Sequence, residues 1–254
     1  MICRNTSGVE CLKVDELNRI SVLVDRSETG LTEVGINEWK AGLVGPPHSH
    51  SSKEQVFYIV SGEGSIHLSG EPNTVRPGDL VYVPVGVLHR SVASSGTALR
   101  YLLFNAFLDY RKEGHATFAD HVAKTKSVRT KQAMLDTAVV EGAEGSPDLP
   151  EAVRSSKLVH NDHSGSAILL TKSETHRIEA ERVTLPFRSH RDYTGTGSWE
   201  HTLYIISGAG KIGVGHDVRE VSGGDTLFIT AGKPFTCEGL DPELSYLRIS
   251  TRLD

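Results

Sequence analysis

Cysteine is scarce in this 254-residue chain, and long apolar runs are missing altogether. Its three cysteines, Cys3, Cys11 and Cys237, are odd in number and show no C-x-x-C spacing, which excludes a disulfide framework and a zinc knuckle and leaves reduced thiols. Nowhere do 18 apolar residues run together, and the opening MICRNTSGVECLKVDE has no continuous apolar stretch of the signal-peptide kind. No membrane partner and a cytoplasmic location are therefore expected. There is no excess of basic charge either. Lys and Arg number 27 against 32 Asp and Glu, a formal net charge of -5, and no recognition helix or RNA-binding signature is present, so nucleic acid is excluded as a partner. The remaining partners are a small-molecule substrate and a second copy of the chain as a homodimer.

What the chain does have is a repeat of itself. SVLVDRSETG (21 to 30) corresponds to AILLTKSETH (167 to 176), YIVSGEGSI (58 to 66) to YIISGAGKI (204 to 212), and LRYLLFNAF (99 to 107) to LSYLRISTR (244 to 252). From Glu54 to His89 the correspondence runs without a gap, with about 11 identities in about 36 positions, glycines at turns among them. One unit has been duplicated.

Each unit is written in short runs rich in Val, Ile, Leu, Phe and Tyr, bounded by Gly, Pro, Asp and Asn. RISVLVD, QVFYIV, GSIHLSG and DLVYVPV are examples, and PGDLVYVP and GGDTLFIT place Gly-Asp at a tight turn entering a strand. Many short strands with such turns make an all-β sandwich or barrel. The reading is two such all-β units, 14–108 and 158–254. Between them, ATFADHVAKTKSV and TKQAMLDTAVVEGA carry helix formers at helical spacing and EGAEGSPDLPEAV is a polar connector, so 109–157 reads as a partly helical linker.

In GLVGPPHSHSSKEQVFYIVSG, His48 and His50 are two apart, so on a strand both imidazoles leave by one face and can grip one ion. GDLVYVPVGVLHRSV then ends a strand at Pro84, turns at Gly86 and delivers His89. These residues resemble the cupin superfamily. Its first motif runs Gly, five residues, His-x-His, three or four residues, Glu, six residues, Gly; Gly42, His48, His50 and Gly62 fit it. Its second runs Gly, five residues, Pro-x-Gly, two residues, His, three residues, Asn; Gly78, Pro84, Gly86 and His89 fit, with Ala93 standing where Asn would. The resemblance implies two tandem double-stranded β-helix (jelly-roll) barrels and one divalent transition metal, Mn, Fe, Ni or Zn. It does not choose a reaction, because the superfamily hosts many.

Six residues, 56 to 61, separate Gln55 from Gly62, so the resemblance puts Gln55 rather than Glu54 at the fourth ligand position. Gln55 shares a face with Phe57 and Ile59, and Glu54 shares the other with Val56 and Tyr58, but both faces are apolar and periodicity alone does not say which is interior. Three neutral imidazoles and an amide oxygen would leave a divalent ion its full charge, a stronger Lewis acid than one bound by a carboxylate.

In the second unit the same positions hold His190, Asp192, His201 and Phe235. An apolar ring replaces the second-motif imidazole, so this barrel is expected to lack a metal, with His190, Asp192 and His201 as an alternative two-His, one-carboxylate set. His67, Tyr82 and Arg90, on strands near the motifs, are the candidates for proton transfer or for holding a substrate carboxylate. The expected function is that of a metal-dependent isomerase, cyclase or lyase acting on a keto sugar or sugar acid. A dioxygenase and a non-catalytic binder or sensor are the alternatives.

Overall fold

The computed structural model describes residues 1–14, 18–124, 139–141, 155–161, 165–195 and 197–254. It is built almost wholly of strands, and it divides into two compact units, Glu10–Asn161 and Met1–Val9 with Asp162–Asp254. The N-terminal segment, which the sequence placed in neither barrel, thus belongs with the second unit. Ile2–Asn5 pairs antiparallel with Asp225–Ile229.

The Glu10–Asn161 unit is a closed pair of sheets. One runs in the order Val139–Glu141, His48–His50, His89–Ala93, Gly64–Leu68, Glu71–Val75; the other in the order Lys157–Val159, Leu80–Val83, Lys53–Ser61, Leu99–Phe107, Thr32–Trp39, Asn18–Val24, Cys11–Lys13. Alternation along the strands sends one set of side chains between the sheets, where Phe57, Ile59, Ile66, Val81, Val83, Leu99 and Tyr101 form a core. Gln55 therefore faces inward with Phe57 and Ile59. Glu54 faces the other way, where its carboxylate accepts a 2.5 Å hydrogen bond from Tyr82 Oη.

The second unit forms one eight-stranded sheet that wraps round on itself. Two long strands, Trp199–Val214 and Phe235–Arg252, carry the wrap, and their pairing slips between Ile205 and Ser207 and again between Gly208 and Gly210. Such slips bend a strand from one layer into the other. The duplication is visible in the backbone itself. Gly62 and Gly208 both sit at positive φ, and a Cβ would lie 1.8 Å from Ala98 O at the first and 1.9 Å from Glu243 O at the second. Only glycine passes at either place.

Of the expected linker, residues 118–124 are helical, while most of TKQAMLDTAVVEGA and all of the polar connector after Glu141 up to Val153 lie outside the described residues. Val139–Glu141 runs parallel to His48–His50, and Lys157–Val159 pairs antiparallel with Leu80–Val83, so two described stretches, one within the expected linker and one at its C-terminal end, add strands to the first barrel. No described helix is long and apolar enough to cross a membrane.

Candidate metal centre

His48 and His89 face each other across an antiparallel pair, and His50 follows two residues along the same strand as His48. Each of the three histidines offers a ring nitrogen, and these three atoms lie within 4.8 Å of one another. It is the one such group among the described residues. His48 Nδ1 lies 3.0 Å from Pro46 O, and His89 Nδ1 3.0 Å from Val87 O. A carbonyl can only accept, so in both rings Nδ1 carries the proton and Nε2 is the lone-pair nitrogen. That is the tautomer a metal ligand requires.

Gln55 is set by a row of side chains across three adjacent strands, where Gln55 stands opposite Asn105 and Asn105 opposite Glu33. Asn105 Nδ2 donates to Glu33 Oε1 at 2.7 Å, and Gln55 Nε2 donates to Asn105 Oδ1 at 2.8 Å. Because the Glu33 carboxylate only accepts, it turns the Asn105 amide, and Asn105 in turn fixes Gln55. Gln55 Oε1 is left buried with no hydrogen-bond partner among the described residues. Gln55, His48, His50 and His89 line one cavity of about 50 Å³. A buried, unsatisfied carbonyl oxygen beside three imidazoles fits a fourth ligand.

The anchor of the row is itself an ion pair. Arg26 Nε donates to Glu33 Oε2 at 2.5 Å and Nη2 to Oε1 at 3.1 Å, and Arg26 is fully buried. A second carboxylate, Glu113, comes from the short 3₁₀ turn Lys112–Gly114. It accepts from Lys53 Nζ at 2.9 Å and from Ser52 Oγ at 3.2 Å, and lies 3.8 Å from His50 Nδ1 and 3.7 Å from His121 Nδ1. Arg26 and Lys53 thus balance Glu33 and Glu113 behind the histidines. After the turn, Phe118, His121 and Val122 from the helical stretch 118–124 line the same cavity. Sequence reasoning missed Glu113 and His121, which lie in the segment taken as linker.

The three residues singled out for catalysis stand elsewhere. His67 and Arg90 occupy the half-buried alternate positions of strands whose inward residues are Ile66, Leu68, His89 and Ser91, and Arg90 Nε lies 3.4 Å from His67 Nδ1. Tyr82 is on the face of Glu54. None of the three lines the histidine cavity.

In the second unit His190 and Asp192 are exposed while His201 is buried, and the three do not form a ligand group among the described residues. The cross-strand row persists in altered form, with His201 opposite Ser250 and Nδ1 2.9 Å from Ser250 Oγ. Phe235 fills the place of the second-motif imidazole, stacked 4.4 Å from Tyr193. Burial, aided by nearby Arg248, pushes the His201 imidazole down to about 4. An unfolded histidine titrates near ~6.5, so between those values the unfolded chain binds the extra proton. The stabilisation from neutral His201 is complete above ~pH 6.5 and is lost as the pH falls toward the folded value, by at most about 3 kcal/mol. Thermal melts at about pH 7.5 and about pH 4.5 should show this destabilisation, and His201→Gln should flatten the difference; an unchanged slope in the variant would assign the effect to other groups.

With this geometry in hand, likeness to known proteins becomes informative. Residues 36–105 match the Cupin_2 family, described as a cupin domain. An uncharacterised protein of Aquifex aeolicus is 27% identical over 63 residues, which make up 25% of this chain and 52% of that protein, so the match spans about half the length of the relative. Among solved structures, protein Ylba from E. coli aligns with a TM-score of 0.70 at 14% identity over 98% of this chain and 89% of that one. Oxalate decarboxylase of Lactobacillus farciminis, in complex with formate, aligns at 0.68 and 16% identity over 100% and 87%. Salicylate 1,2-dioxygenase of Pseudoaminobacter salicylatoxidans aligns at 0.61 and 13% over 88% and 71%. At these identities the structural likeness concerns the fold. Residues 36–105 of the first unit match a cupin domain, and the chain as a whole shares the fold of these two-unit β structures.

Proposed function

We propose that the first barrel holds one divalent transition metal through His48, His50, Gln55 and His89 and that the protein is a metal-dependent enzyme of the isomerase, cyclase or lyase type. The observation that carries this reading is the buried, unsatisfied Gln55 Oε1, held by Asn105 and Glu33 in the one amide orientation that presents oxygen to the cavity. With a neutral ligand set, a bound divalent ion keeps its charge and polarises a carbonyl or carboxylate without a change of redox state.

The chain's own groups supply the rest. The Nδ1 bonds of His48 and His89 fix ring direction, and the Lys53, Glu113 and Ser52 contacts pin the strand that carries Gln55. Phe118 and Val122 cover the cavity with apolar surface, which excludes water and strengthens every polar contact inside. A free volume of about 50 Å³ has room for only about four waters. The substrate therefore belongs at the small end of the oxygen-rich class, nearer a short oxo or hydroxy acid than the keto sugar or sugar acid that the motifs alone suggest.

Elemental analysis of the purified protein should find close to one transition metal per chain. A screen of short oxo acids, hydroxy acids and keto sugars, run with and without oxygen, then reads the reaction class. Product formation independent of oxygen supports the proposal, oxygen uptake coupled to turnover replaces it with a dioxygenase, and tight binding without product replaces it with a sensor. Gln55→Glu should retain metal at least as well as the wild type while turnover falls by about tenfold or more, since the added negative charge weakens the Lewis acid. Wild-type turnover in that variant would show that the charge of the fourth ligand does not set the rate.

A further inference from the structure

The second unit brings no metal-ligand group together among the described residues, yet it keeps a cavity of about 280 Å³ where Glu179, Asp192, Trp199, His201 and Arg248 meet. Strand register shows how this cavity differs from the one in the first unit. Arg248 stands opposite Glu181 and Leu203, just as Leu103, on the wall of the histidine cavity, stands opposite Gly35 and Phe57. An apolar wall residue in one unit is thus a guanidinium in the other. Arg248 Nε donates to Glu181 Oε1 at 2.6 Å and Nη1 to Ser250 Oγ at 2.7 Å. Nη2 has no hydrogen-bond partner among the described residues, and the Arg248 side chain is 16% exposed on the cavity wall.

The charges on this wall do not cancel in place. Glu181 is shared between Arg248 and Arg191, whose Nη2 lies 2.9 Å from Oε2, so that group carries one surplus positive charge. Against it stand Glu179 and Asp192, neither carboxylate having a hydrogen-bond or ion-pair partner among the described residues. Glu179 holds the place of Glu33: it lies opposite Ser250, as Glu33 lies opposite Asn105. In the repeat, Lys172 matches the Arg26 that neutralises Glu33, but Lys172 is exposed and forms no ion pair with Glu179. A half-buried carboxylate is left without a countercharge from the chain. A simple anion entering here would meet Glu179 and Asp192, and a simple cation would meet Arg248. A molecule that carries both charges has each of them matched.

We propose that this cavity is a binding site for a free amino acid with an apolar side chain. The α-carboxylate lies on Arg248 Nη2, the ammonium faces Glu179 and Asp192, and the side chain rests against Trp199. The Tyr193 ring is already covered by Phe235, stacked at 4.4 Å, and by Arg191 and Arg248, so Trp199 is the aromatic surface left for a ligand. A volume of about 280 Å³ falls just below the roughly 300–1,000 Å³ of pockets for drug-sized molecules, which suits a single amino acid. The site uses no metal, and it stands apart from the reading of His48, His50, Gln55 and His89.

Calorimetric titration of the purified protein with L-phenylalanine tests this, beside 3-phenylpropionate and 2-phenylethylamine, each of which keeps one of its two charges. L-phenylalanine should bind once per chain, and each single-charge analogue at least about tenfold more weakly, the range carried by a hydrogen bond to a charged group. Glu179→Gln and Arg248→Met should each weaken L-phenylalanine by about tenfold to a hundredfold. Should Arg248→Met melt early, Glu179→Gln decides, because Glu179 has no partner in the fold to lose. Chelator-treated protein should bind as well as untreated protein. Absence of L-phenylalanine binding overturns the proposal, as does an analogue that binds equally well or a Glu179→Gln variant with wild-type affinity. Binding that vanishes with chelator would place the ligand on the metal of the first unit and is equally fatal.

Discussion

The double replacement His48→Ala/His89→Ala is expected to bring the metal content of the purified protein from near one per chain to near zero. The two rings stand opposite each other on neighbouring strands, each with Nδ1 tied to a backbone carbonyl two residues earlier. Their loss leaves His50 and Gln55 as the two remaining members of the proposed ligand set. Four-ligand structural zinc sites are worth roughly 10–16 kcal/mol in all, so removing two ligands forfeits on the order of half, more than a thousandfold in affinity. Activity should disappear with the metal, while strand content by circular dichroism should persist, since neither ring belongs to the apolar core. Wild-type metal content in the double variant would mean that the ion is held elsewhere, and with it the enzymatic proposal would have to be abandoned.

The largest effect on stability is expected from Arg26→Met. Arg26 is fully buried, pairs with Glu33 through two nitrogens, donates to Lys112 O at 3.0 Å and lies over the Phe107 ring at 4.9 Å. Removing it leaves a Glu33 carboxylate that is 2% exposed without its countercharge. Breaking one side of such a pair costs about 3–5 kcal/mol, a large share of the roughly 5–15 kcal/mol that holds a domain together. The midpoint of urea unfolding should fall accordingly, and the companion change Glu33→Leu in the same chain should recover much of the loss. An Arg26→Met midpoint within error of the wild type would show that Glu33 is protonated or hydrated in place. The same substitution reaches the metal cavity, because Glu33 sets the Asn105 amide and Asn105 sets Gln55.

How far the sequence could be read differs from one group of residues to the next. The three imidazoles were legible because a strand, a turn and a fixed spacing encode them locally, while the choice of Gln55 over Glu54 came only from the resemblance of the motif; the structure brings His48, His50 and His89 together with Gln55 on one cavity. The duplicated unit was legible for the same reason, down to glycines that must let a carbonyl pass. That Arg90 points away from the cavity follows from alternation, since its neighbour His89 points inward and successive strand residues do not. His67 and Tyr82 offered no such anchor, because the parity of their strands is fixed by packing partners far along the chain. Glu113 and His121 carried no spacing signal at all. Their place behind His50 comes from the path the chain takes after Phe107, and a single acidic residue in a Lys-Glu-Gly turn looks like any solvated loop. The rows that join Asn105 to Glu33 and Tyr101 to Asn37 depend on strand register, which the amino-acid pattern constrains only loosely.

The pairing of Ile2–Asn5 with Asp225–Ile229 has a bearing on how the polypeptide is made. As it leaves the ribosome, the first unit is complete once Asn161 has emerged, yet the opening strand must wait for a mate that is synthesised more than 200 residues later. A fragment cut at Asp162 would lack that strand and bare the edge of Asp225–Ile229 that faces it, while the other edge stays paired with Trp199–Val214, and an open edge is the kind of surface on which foreign strands add. Dissection of the molecule into halves therefore has to carry its first nine residues across to the far half.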